Sequence, residues 1–218
     1  PEPDHEPEPE PEETLKYVTN DNNNTATVIG VLSSASSNES FIIPSSINRN
    51  GITYQVNNIG NKAFTNLLNG TSITLPNTIL NIEAYAFYRS KKLISLVLPE
   101  GLLSIGYRAF YACSSITSLN IPNSLISLNS TALLNIYNLN EITVLPSHTI
   151  FKSIDGILFN KAETSILLCP QTKTGTYIVP DNIDTIEQYA FYGCNNLTNI
   201  EFGTGSNLTK IQNYCFWN

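Results

Sequence analysis

A phenylalanine recurs at a fixed step in this chain and brings its neighbours with it. Phe64, Phe87 and Phe110 stand 23 residues apart, and Leu133 takes the next place. The pattern returns at Phe191 and, 25 residues later, at Phe216. Alanine precedes the key residue at Ala63, Ala86, Ala109, Ala132 and Ala190. A period of this length is the signature of a solenoid, in which each unit is too small to bury its own apolar face and stacks on its neighbours to do so. Such a chain acts more often through an exposed repeated surface than through an active-site cleft.

The other positions of the repeat agree. After Phe87 come Leu93, Leu96, Leu98-Pro99, Leu102 and Ile105. The preceding unit has Ile73, Leu75-Pro76, Ile79 and Ile82, and the following one Ile116, Leu119, Ile121-Pro122, Leu125 and Leu128. Ser95-Leu96-Val97-Leu98 alternates with the strand period of two. Leu96 and Leu98 are therefore expected inside, with Ile73 and Leu75, Leu119 and Ile121, Ile142 and Val144, and Ile200 and Phe202 in the equivalent places. Proline has no N–H for a parallel ladder and should end each strand. One short strand per unit is expected, with the Ala-Phe segment forming a turn or short helical stretch on the opposite, convex side.

The segments Ile59-Gly60-x-x-Ala63-Phe64, Ile82-x-x-Tyr85-Ala86-Phe87, Ile105-Gly106-x-x-Ala109-Phe110-x-x-Cys113 and Ile186-x-x-Tyr189-Ala190-Phe191-x-x-Cys194 resemble the BspA-type leucine-rich repeat. The resemblance covers residues 42–218 and departs from the pattern at Leu133 and in the stretch after it. It implies a β-rich leucine-rich repeat solenoid of stacked parallel strands. It also implies a surface adhesin or antigen that binds host matrix or cell-surface proteins such as fibronectin or fibrinogen, located at the cell surface or secreted. A scaffold protein that acts by protein–protein contact or self-association is the alternative.

Five regions follow. Residues 1–13 alternate Pro with acids and read as a disordered linker. Residues 14–58 read as an N-terminal cap and degenerate first repeat, with a strand over 25–31 and an Asn50-Gly51 hairpin. Regular repeats fill 59–145. Residues 146–183 form an irregular insertion with an Asp155-Gly156 hairpin cue and further strands at 166–170 and 177–180. It reads either as a decorated repeat or as a ligand-contacting protrusion. Repeats resume over 184–218 and stop just inside a new unit, so the parent protein is expected to continue.

Charge narrows the partners. Of the 18 acidic residues seven lie in residues 1–13, so the remaining eleven balance the 11 basic ones. A neutral folded part does not suit nucleic acid. No apolar run is long enough to span a bilayer. The two histidines, His5 and His148, sit in no triad or metal motif, and neither an enzyme nor a cofactor or metal site is expected. Cys113 and Cys194 share a repeat position, three after Phe, which suits a small core residue better than a disulfide.

The candidate surface is the outward strand face, the concave face in a solenoid of this kind. It comprises Ser72, Thr74, Ser95, Val97, Ser118, Asn120, Glu141, Thr143, Asn199 and Glu201. Tyr88, Tyr111 and Tyr192 form a second ladder, expected to stack between coils or to make a lateral contact patch with Arg89, Lys91 and Lys92. Six Asn-x-Ser/Thr sequons start at Asn23, Asn38, Asn69, Asn129, Asn196 and Asn207. They could carry glycans in an exported eukaryotic protein. A monomer is expected.

Overall fold

The computed structural model describes residues 14–32 and 40–217. The acidic linker of residues 1–13 lies outside the described residues. β1 (Leu15–Asn20) and β2 (Thr25–Val31) form an antiparallel hairpin. β3 (Ser40–Ile42) follows, then a second hairpin of β4 (Ser46–Arg49) and β5 (Ile52–Ile59). Asn50 and Gly51 turn it with φ of 52° and 79°, the left-handed pair that a two-residue hairpin requires.

From here each period is one coil with two short strands rather than the single strand expected. The pairs are β6 (Ser72–Thr74) with β7 (Asn81–Ile82), β8 (Ser95–Leu96) with β9 (Ser104–Ile105), and β10 (Ser118–Ile121) with β11 (Ser127–Leu128). No first strand passes its proline, as predicted: β10 runs up to Pro122, and β6 and β8 stop shortly before Pro76 and Pro99. The Pro76, Pro99 and Pro122 carbonyls then accept hydrogen bonds from Ile79, Leu102 and Leu125 N–H, so a tight turn leads into the second strand. First strands pair in parallel as β3–β6–β8, and second strands as β2–β5–β7–β9–β11. The shared register places Phe41 on Ile73 and Leu96, and Ile59 on Ile82, Ile105 and Leu128.

The Ala-Phe segment closes the coil as a ribbon of turns; no helix occurs among the described residues. Residues two before and two after the Phe adopt left-handed backbone. They are Lys62 and Asn66, Tyr85 and Arg89, Arg108 and Ala112, and Tyr189 and Gly193. This aims alternate N–H groups at the next coil. Phe64, Phe87 and Phe110 N–H donate to Ala86, Ala109 and Ala132 carbonyls at 2.7–2.9 Å. A left-handed conformation costs an L-residue roughly 1–2 kcal/mol. It is offset here by an otherwise orphaned inter-coil hydrogen bond and by seating the Phe ring inside.

The rings form a column. Phe41 and Phe64 lie 6.0 Å apart, Phe64 and Phe87 5.3 Å, and Phe87 and Phe110 5.0 Å, the last two pairs within 5° of parallel. Ala86 and Ala109 are fully buried beside them. The expected interior positions are buried at Ile73, Leu75, Leu98, Leu119, Ile121 and Ile142, and half-buried at Leu96 and Val144.

The insertion interrupts this stack. After β12 (Glu141–Val144), β13 (Phe151–Ile154) and β14 (Ile157–Asn160) form the hairpin at Asp155-Gly156, with φ of 50° and 75°. β15 (Ser165–Leu168) pairs antiparallel with β14 and restarts the second-strand column toward β17 (Thr185–Ile186) and β19 (Lys210–Ile211). β16 (Gly175–Val179) and β18 (Leu197–Phe202) restart the first. Two buried clusters result, one over 15–168 and one over 157–215. Contrary to expectation, Phe202 is 45% exposed and Ile200 only half-buried. β18 is the last first-column strand among the described residues, so no further coil covers them.

Phe110→Ala removes a fully buried ring from the end of the column and should lower stability by about 3–5 kcal/mol, read from chemical denaturation. An unchanged unfolding midpoint would contradict the column.

Candidate interaction surfaces

Alternation along the first strands sends one set of residues inward and leaves the other in register on the surface. Ser40, Ser72 and Ser95 align across β3, β6 and β8, and Ile42 aligns with Thr74. Ser118 aligns with Glu141 and Asn120 with Thr143, where the Thr143 hydroxyl bonds Asn120 Oδ1 at 3.2 Å. Of the ten residues expected on this face, Thr74, Ser95, Val97, Ser118, Asn120, Glu141, Thr143, Asn199 and Glu201 are exposed, and Ser72 is half-buried. Val97, 76% exposed, is its main apolar point apart from Ile42 and Ile178. The face is hydroxyl- and amide-rich and carries little charge.

The second strands carry a polar ladder that sequence reasoning missed. Asn81 Nδ2 donates to Asn58 Oδ1 at 2.8 Å, and the Ser104 hydroxyl to Asn81 Oδ1 at 2.7 Å. Its only sequence signal was a small polar residue just before the Ile of each Ile-x-x-x-Ala-Phe segment: Asn58, Asn81, Ser104 and Thr185.

On the turn side the tyrosines do stack between coils. Tyr88 and Tyr111 lie 5.2 Å apart and 16° from parallel, and Tyr189 and Tyr214 5.5 Å apart and 9° from parallel. Cations rest on the rings. Arg108 lies over Tyr107 and Tyr111 at 5.2 and 5.0 Å, Arg89 over Tyr88 at 5.3 Å, and Lys62 over Tyr85 at 6.0 Å. Stacking and lateral exposure coexist at Tyr214, which keeps 52% of its surface in water, while Tyr88, Tyr111 and Tyr192 are half-buried.

Where Leu133 replaces Phe, a cavity of about 210 Å³ opens. Leu128, Leu133, Phe151, Leu158, Leu167 and Leu168 supply its apolar wall, and Glu187 is among its polar members. Its apolar wall belongs to, or packs against, the first of the two core clusters.

Chemistry-bearing groups are held in structural roles. Cys113 is fully buried and its Sγ–H donates to the Phe87 carbonyl at 3.0 Å; burial pushes its thiol up to about 12, so it stays protonated. Cys169, Cys194 and Cys215 are buried and unbridged. His148 is 1% exposed, and its Nδ1 accepts from Ile150 and Phe151 N–H at 3.1 and 3.2 Å. Among the described residues no cluster of three or more His, Cys, Asp or Glu could hold a metal, and no helix is long and apolar enough to cross a membrane. Of the sequon asparagines, Asn23, Asn129, Asn196 and Asn207 are exposed and Asn69 is half-buried; Asn38 lies outside the described residues. Asn129 Oδ1 is engaged by Thr131 N–H and hydroxyl at 3.0 and 2.7 Å.

Parallel short strands repeated every 23 residues, proline-ended first strands and a stacked Phe column define a leucine-rich repeat solenoid. The sequence profile of the BspA type leucine rich repeat region matches six copies over residues 34–162 and 168–218, and the chain belongs to that family. No curated protein sequence matches it. Among solved structures it is similar to the pneumococcal vaccine antigen PcpA, with TM-score 0.65 and 20% identity over 93% of this chain and 65% of that one. A leucine-rich repeat protein from Eubacterium ventriosum gives 0.63 and 19% over 94% and 61%. One from Bacteroides capillosus gives 0.55 and 27% over 61% and 94%. The chain thus spans less than two thirds of the pneumococcal and Eubacterium structures.

His148 gives the fold a definable acid sensitivity. Burial, with a smaller push from Lys161, holds its pKa below the usual 6.5, against a pull upward from the Pro122 carbonyl. The unfolded chain therefore takes up this proton first, and stability falls as pH drops through 6.5 toward the lower folded value. The urea midpoint of the wild type should fall between pH 7.5 and pH 5.5 more steeply than that of His148→Gln. Parallel profiles would show that His148 does not carry the effect.

Proposed function

We propose that this chain is the binding part of a cell-surface or secreted adhesin or antigen, acting by protein–protein contact with host matrix or cell-surface proteins. One observation carries the reading: within β3–β6–β8 and again within β10–β12 the repeats hold exposed side chains in register from coil to coil, on a scaffold whose buried face is already satisfied. Such a surface is fixed before a partner arrives, so little ordering entropy opposes binding. Membership of the BspA-type family and likeness to a vaccine antigen support a surface location.

The first-strand face is the proposed contact, through Thr74, Ser95, Val97, Ser118 and Asn120 with Ser72, Glu141, Thr143, Asn199 and Glu201 around them. Its hydroxyls and amides can both donate and accept, which suits a protein partner that presents polar backbone or side chains. Fibronectin and fibrinogen are the first partners to try, on family resemblance. We propose no catalytic or cofactor role. In a host that glycosylates, Asn23, Asn196 and Asn207 are the sequons we propose as acceptors.

The test is attachment of the purified chain to immobilised fibronectin, to fibrinogen and to epithelial cells, beside the Ser95→Glu, Ser118→Glu variant. Both serines are exposed, so the variant should fold normally. Saturable binding to at least one target, weakened about ten-fold or more in the variant, is expected. Absence of binding to all three would favour the scaffold alternative.

A further inference from the structure

Basic residues are unevenly placed. Lys62, Arg89, Lys91, Lys92 and Arg108, five of the 11 in the chain, fall within three successive turn ribbons. Lys62 and Arg89 are exposed and are held over Tyr85 and Tyr88; Lys91 and Lys92 are exposed. Among the described residues none of these four has a carboxylate at ion-pair distance. The nearby Glu83 carboxylate is engaged, accepting from Asn61 N–H at 2.9 Å.

These cations border a groove. One section, about 360 Å³, runs from Gly30 and Val31 on β2 past Lys62; the next, about 380 Å³, is bordered by Arg89, Lys91 and Lys92. The two share Asn66, Leu67 and Leu68. Leu68 is 75% exposed although its neighbour Leu67 is buried in the core. An apolar floor with unpaired cations along its wall is the anatomy of a polypeptide-binding site with an acidic partner.

We propose that this groove binds an extended acidic segment of a partner protein, with an apolar side chain of that segment seated at Leu68 and its carboxylates on Arg89, Lys91, Lys92 and Lys62. The proposal rests on the reading of the chain as a binding domain and adds a second, charge-selective surface to it. A protein segment fits better than a sulfated glycan for two reasons. The groove offers Leu67 and Leu68 and no exposed ring, Phe64 being buried, and the Tyr85 and Tyr88 rings that could stack on sugars have cations over them. Successive coils are about 4.8 Å apart, so cations on two neighbouring ribbons can meet carboxylates on one extended strand of the partner.

The experiment uses the full chain and a fluorescein-labelled synthetic peptide of alternating Glu and Ala with one central Leu. The same peptide with Gln for Glu, and a heparin oligosaccharide, run beside it. Cell attachment is measured on the same preparations. The Glu peptide should bind saturably, weaken with salt, and lose about ten-fold in affinity in the Arg89→Gln, Lys91→Gln, Lys92→Gln variant. Leu68→Ser, which removes an exposed side chain, should weaken it too, while Ser95→Glu, Ser118→Glu leaves it unchanged and the Gln peptide does not bind. Equal binding by the triple variant overturns the proposal, as does capture of heparin in place of the Glu peptide. Glu-peptide binding that emerges only after the acids of residues 1–13 are changed to amides also overturns it, in favour of the chain's own leader as occupant. Attachment to cells without Glu-peptide binding defeats the groove and leaves the adhesin reading standing; failure of the wild type to bind fibronectin, fibrinogen and cells alike defeats that reading.

Discussion

Everything in this molecule depends on one coil holding the next at a fixed distance and rotation, and the Phe column sets both. A ring at each coil must find the ring before it, and nearly parallel pairs at 5.0 and 5.3 Å do so from Phe64 to Phe110. The backbone delivers them. The Phe N–H donates to the Ala carbonyl of the next coil, so hydrogen bond and ring contact advance together. The small Ala leaves room for that approach. Strand pairing follows in the same register along the second strands from β2 to β11 and, among the first strands, within β3–β6–β8 and within β10–β12, and outward residues become columns there because inward ones are columns.

The stack fails where this device is missing. At Leu133 the aromatic is absent and a cavity takes its place. Among the described residues β11 does not pair with β15, nor β12 with β16. The hairpin of β13 and β14 fills the level instead and bonds back to β12 through Ile142 N–H and the Gly156 carbonyl at 3.0 Å. The core accordingly divides into two clusters at this point. The substitution thus coincides with the end of both the Phe column and the second-strand ladder; the first-strand ladder is already interrupted one coil earlier, between β8 and β10.

Much of this was legible because the repeat is regular. The spacing of Phe64, Phe87 and Phe110 marked the coil, Leu-Pro marked the end of the first strand, and Asn50-Gly51 and Asp155-Gly156 marked the hairpins of β4 with β5 and of β13 with β14. The second strand was not legible. Asn81-Ile82 and Ser104-Ile105 are too short to show a period, and parallel pairing alone makes them strands. The left-handed residues were hidden as well. Only Gly193 announces the conformation, whereas Lys62, Tyr85 and Arg108 adopt it under the pull of inter-coil hydrogen bonds. Outward strand positions such as Ser95 and Asn120 were readable from parity. The groove was not, because it joins β2 to ribbons far along the sequence. Phe202 was misplaced because parity says which side a residue faces and not whether a coil covers it.

Residue-resolved hydrogen exchange under native conditions tests the central claim, that ring column and ladders make a cooperative block that ends at Leu133. The amides of Phe64, Phe87 and Phe110 should open with one common, high free energy, and that of Phe191 with a distinctly lower one. A single opening free energy shared by all four would contradict the account, because the stack would then be cooperative straight through the missing ring.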